Sequence, residues 1–105
     1  MKNFIQTGDI IEVTAPYDVA SGGGCLVGTV FGFAVTDAVS GAPVNVKRSG
    51  VFDHAKTSAQ AWTQGAAVYW DNSAKVLTTV STSNTLVGAA AAVAANPSGS
   101  GRVVI

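Results

Sequence analysis

Short runs of β-branched and apolar residues recur along the whole chain, and Gly, Asp, Asn or Pro interrupts every one of them. Runs of that kind, bounded by turn residues at regular intervals, specify a barrel or a sandwich. Thr7-Gly8-Asp9 reads as a turn, and Ile10 to Ala15 as a strand that ends at Pro16. Ser21-Gly22-Gly23-Gly24 reads as a loop opening into Cys25-Leu26-Val27-Gly28, with Val30 to Thr36 as the next strand. After a turn over Val39 to Pro43, Val44 to Ser49 alternates apolar and polar residues, the period of a half-exposed strand. Gly50 to His54 continues it beyond a kink. Ala67-Val68-Tyr69-Trp70, a turn over Asp71 to Ala74 and a return strand from Lys75 to Val80 make a hairpin, and Leu86-Val87-Gly88 follows. The expectation is an all-β, single-domain β-barrel or β-sandwich-like fold over residues 1–105.

One short helix belongs to the same expectation. Thr57 to Trp62 (TSAQAW) carries Thr57 or Ser58 as an N-cap, and Gly65 would stop it. Ala89 to Ala95 is ambiguous, because alanine is the best helix former. The run is short, however, and a helix of that length is marginal in isolation. A faint recurrence argues for extended chain there: Leu26-Val27-Gly28 returns as Leu86-Val87-Gly88, and Ser40-Gly41 as Ser100-Gly101. The first copy reads as strand, turn, strand, so the second takes the same reading.

Charge is scarce. Only 11% of the residues are charged and the formal net charge is zero. Soluble domains carry about 25% charged residues and usually a net charge away from zero. Association with other subunits is the reading this favours. Nucleic acid is not an expected partner, because Lys47-Arg48 is the only adjacent basic pair and a binder needs a basic patch. No apolar run is long enough for a membrane-spanning helix. The opening Met1 to Gln6 does not read as a signal peptide, which places synthesis in a cytoplasm. Cys25 stands alone, so it suits a small buried residue better than a redox or metal motif.

The inventory for catalysis is thin. His54 is the only histidine and needs an orienting partner and a pocket to act as a base. Asp9 and Glu12 would lie on opposite faces of a strand. The Ser21 to Gly24 loop lacks the Gly-Lys-Ser/Thr of a phosphate loop. The expectation is a non-enzyme with no cofactor and no metal. Trp62, Tyr69 and Trp70 are the one aromatic concentration. Such residues suit a small core, an interface between copies or a sugar-stacking platform; they are the candidates for an oligomer interface.

Across nearly the whole chain the sequence resembles the capsid cement, or decoration, proteins of tailed phages and prophages, long filed as a domain of unknown function. The segments that carry the resemblance are MKNFIQTGDIIEVTAPYDVASGGGCLVG, VFGFAVTDAVSGAPV, GVFDHAK, AWTQGAAVYWD, LVGAAAA and the closing RVVI. Relatives are sometimes labelled recombinases, a label this sequence does not support. The resemblance implies a compact β domain on the outside of a phage capsid. Its partners would be copies of itself, in a trimer rather than a dimer, and the major capsid protein, whose contacts it would hold together. A carbohydrate or host-surface binding module is the alternative. Residues 1–6 read as an N-terminal arm. Phe4 and Ile5 would point to opposite faces of an extended segment, which makes them the candidate capsid contacts.

Overall fold

The computed structural model describes residues 8–105. Its strands are β1 (Ile10–Thr14), β2 (Gly24–Val27), β3 (Val30–Ala34), β4 (Pro43–Lys47), β5 (Val51–Ala55), β6 (Ala67–Asp71), β7 (Val76–Thr78), β8 (Thr85–Ala90) and β9 (Ser100–Val104). All named pairings are antiparallel. They form a four-stranded sheet of order β1-β4-β3-β2 and a five-stranded sheet of order β5-β9-β8-β6-β7. Gly28-Thr29 closes the β2–β3 hairpin with Gly28 at φ 61°, a backbone conformation that favours glycine.

The two sheets are built on one plan. Remove β7, and β5-β9-β8-β6 repeats β1-β4-β3-β2 strand for strand. Ile10 pairs with Lys47 and Thr14 with Pro43; in the second sheet Val51 pairs with Val104 and Ala55 with Ser100. Phe33 and Ala34 pair with Lys47 and Val46 as Ala89 and Ala90 pair with Val104 and Val103. The connections repeat as well. Val19 and Ala38 exchange backbone hydrogen bonds, and so do Trp62 and Ala94. Gly22 N–H donates to the Ala34 carbonyl as Gly65 N–H donates to that of Ala90, both at 2.8 Å, and both glycines have positive φ. Val35 donates to Asn45 as Ala91 donates to Arg102.

The register of this duplication differs from the one suggested by the recurring Leu-Val-Gly. Leu26 pairs with Phe31, and the equivalent pair is Tyr69 with Leu86, so Leu26 corresponds to Tyr69. The β6–β7 hairpin and a bulge at Val68/Tyr69 displace the second copy along the chain.

Each sheet has an inner face. In the first, Cys25, Ala34, Val44 and Val46 are buried against the covering loop residues Ala15 and Val19. In the second, Val68, Trp70, Ala90 and Val103 are buried with Trp62, Ala94 and Leu77. The sheets then stack in one direction. The outer face of the first sheet, with Phe31 and Phe33, enters the core of the second. Phe31 meets Trp70 with ring centroids 5.1 Å apart, and Phe33 meets Phe52 at 4.5 Å. Gly24 makes room for this contact, since a Cβ there would lie 2.5 Å from the Trp70 ring.

Two expectations are corrected. No closed barrel forms: β5 and β7, the edges of the larger sheet, meet only at the isolated Lys56–Leu77 bridge. Closure would need paired edges along their length. Nor is there a helix among the described residues, and Thr57 to Trp62 is an irregular crossing loop. Its polar groups are engaged elsewhere: Thr57 N–H donates to Leu77 O, Trp62 N–H to Ala94 O, and Lys56 Nζ donates to the carbonyls of Thr57 and Gln60. The alanine run is extended through Ala90, bends at Ala91 and Ala92, and reaches the Ala94 bridge, as the strand-and-turn reading anticipated.

Candidate functional site

The aromatic trio is divided between core and surface. Trp62 and Trp70 are each 1% exposed, so the two indoles fill the core rather than presenting themselves to another copy. Their N–H groups turn to Gln60 Oε1, 3.5 Å away, and to Asn72 Oδ1 at 3.1 Å. Tyr69 alternates to the outer face of β6 and is half-buried. Phe4 and Ile5 lie outside the described residues.

His54 belongs to the seam between the sheets. Its ring packs at a tilt against Phe33, centroids 5.5 Å apart, and meets Trp70 edge-on at 5.3 Å. The neighbouring Asp53 points to the other face and pairs with Arg102 at 3.1 Å, so it does not orient the imidazole. Beside His54 runs a groove of about 290 Å³ bordered by Tyr17, Trp70 and Lys75. Tyr17 donates to the Gly24 carbonyl at 2.8 Å, and the Lys75 ammonium sits 4.0 Å over its ring. Burial raises the Tyr17 pKa, which keeps the phenol a neutral donor. The hydrogen bond stays within the first sheet's half, and the Lys75 ammonium over Tyr17 is the polar contact that joins the sheets at this groove. Cys25 is buried on the inner face of the first sheet, where desolvation raises its pKa and keeps the thiol uncharged. Among the described residues no group of His, Cys, Asp or Glu is placed to hold a metal ion.

What the second sheet does expose is its outer face. Ala67 pairs with Ala89 and Tyr69 with Leu86, side by side on β6 and β8. Leu86 is 61% exposed, and Val104 on the adjacent β9 is 40% exposed. The sequence pointed to Tyr69 here but missed Leu86. The Leu-Val-Gly recurrence aligned it with the wrong partner, and a single apolar residue beside a bulge carries no periodic signal. Lys56 was missed for another reason: a lysine is ordinarily at the surface, whereas this one is 4% exposed, with its ammonium on two carbonyls and 5.8 Å from the Trp62 ring centre.

Leu86 and Val104 thus give the second sheet an apolar outer face, the kind of surface that suits contact with another protein. The model of a family described as phage cement protein matches residues 5–105. The chain belongs to the phage cement protein family. That match spans both sheets and the connections between them, so the whole duplicated arrangement belongs to the cement module. Membership makes the cement protein a structural component of the virion, associated with the capsid. No curated protein and no solved structure matches the chain.

Proposed function

We propose that this cement protein binds the outside of a phage capsid as a small closed homo-oligomer, a trimer in preference to a dimer, and stabilises contacts between major capsid proteins. The observation that carries the reading is the family match over residues 5–105. The composition supports it: a chain with 11% charged residues and no net charge has little to keep its surfaces apart. Many symmetric copies on a shell multiply a modest affinity for each seam. The role is non-catalytic, and all 105 residues act as one cement-like domain made in the host cytoplasm before assembly. A sugar-binding platform gains nothing from the structure, because Trp62 and Trp70 are enclosed.

Phe4 and Ile5 are the proposed capsid contacts, through an arm that adds to a strand edge on the shell. Deleting residues 2–6 is expected to leave the thermal melt of the domain intact while lowering co-sedimentation with expanded capsids. An intact chain that fails to sediment with capsids would overturn the cement reading. A truncated chain that stays folded and sediments as well as the full one would move the contact away from the arm.

A further inference from the structure

The duplication makes the joint between the sheets a directional contact. Within one chain, the outer face of the first sheet docks on the inner face of the second. Phe31 sits on Trp70, and Phe33 sits on Phe52 and His54. The outer residues are 7% and 2% exposed as a result. Both halves of this contact exist a second time. On the second sheet, Leu86 and Ala89 occupy the places of Phe31 and Phe33, and Tyr69 and Ala67 those of Leu26 and Gly24. There they face outward, with Leu86 at 61%. On the first sheet, Val27 stands where Trp70 stands in the second, and Ile11 and Val13 stand where Phe52 and His54 do. These three remain only partly buried beside the inner core. Among the described residues the first sheet also lacks a counterpart of β7, whose Leu77 is fully enclosed in the second.

We propose that the outer face of the second sheet docks on the inner face of the first sheet of another copy, repeating between chains the contact that joins the sheets within one. The occupant is a second copy of this chain, because the chain already contains both complementary surfaces and shows how they fit. Such a contact is head-to-tail: Leu86 of one copy meets Val27 of the next, and Ala89 meets Ile11 and Val13. Contacts of that kind close into a ring when the rotation allows and otherwise run on as a filament. A ring of this protein holds twice as many equivalent sheets as chains, so its symmetry is quasi-doubled. The inference rests on the oligomer reading above and gives it residues.

The test uses a Cys25→Ala background with Leu86→Cys, Val27→Cys or both, treated with a short bismaleimide in solution and on expanded capsids. Neither single variant is expected to cross-link to itself. An equimolar mixture of the two should give a covalent dimer and stop there, and the double variant should ladder up to the size of the closed ring. Leu86→Asp, at an exposed position, should lower the mass measured by sedimentation while the protein stays folded. Cross-linking of Leu86→Cys to itself would show a two-fold contact and overturn the inference, as would absence of cross-links both in solution and on shells. Capsid co-sedimentation of the same samples separates the two readings. Attachment without cross-links removes the head-to-tail contact alone, whereas cross-links without attachment remove the cement role alone.

Discussion

A methyl group added at Gly101 would collide with the Trp62 ring. The equivalent pair in the first sheet is Val44 and Val19, both buried in its inner core. Two medium side chains on one side thus correspond to one large and one absent side chain on the other. Volume is conserved while shape changes, which close-packed interiors tolerate best. Gly101→Val is therefore expected to destabilise the protein by about 1–3 kcal/mol or more through overpacking. Trp62→Val alone should cost about 3–5 kcal/mol for the lost indole. The double variant, which installs the first sheet's solution in the second, should be more stable than the sum of its parts by roughly 0.5–3 kcal/mol. Urea denaturation of the four proteins measures this coupling; strict additivity would show that the two sites do not share one space.

Strands were readable in the sequence because their punctuation is local. Pro16, Gly28 and Asp71-Asn72 end or turn the chain wherever they occur. The loop from Thr57 to Trp62 was not readable, since what fixes it comes from distant residues. Gln60 Nε2 donates to Thr78 Oγ1 at 2.9 Å, and Gln60 Oε1 accepts from Thr79 N–H at 3.1 Å. A side chain that caps β7 in this way overrides a weak helical propensity. The sites were legible to the same degree. Tyr69 could be picked from its aromatic ring, but the burial of Trp62 and Trp70 depends on Gly24 and Gly101, glycines that read locally as turns. Gln60→Ala should leave the Thr78 hydroxyl, in a residue 3% exposed, with Val80 N–H as its remaining donor, and should take from Thr79 N–H its acceptor. The expected loss is about 1–3 kcal/mol, seen as a lower urea midpoint at unchanged slope. A midpoint equal to that of the parent would mean the loop is held by its Lys56 and Trp62 contacts alone.

Because Phe31 and Phe33 belong to the first sheet but lie in the same core as Trp62, Trp70 and Val103, neither sheet can lose its packing without exposing the other. Separating them would leave two phenyl rings and Leu26 in water, at a cost of about 1.5–3 kcal/mol for each buried side chain. The chain is also within the length at which single domains unfold without populated intermediates. Two built-in probes report on the two sheets. Both tryptophans lie in the second half, and the buried Cys25 thiol lies in the first. The expectation is one cooperative transition: tryptophan fluorescence and the accessibility of Cys25 to a thiol reagent should change at the same denaturant concentration. If the thiol becomes reactive while the fluorescence is still native, the first sheet opens independently. The aromatic seam would then be a contact between autonomous units, and the like contact between copies would be weak for the same reason. Coincident transitions at a protein concentration low enough to keep the chain monomeric would place the strength in the seam itself, since no neighbouring copy would then be available to supply it.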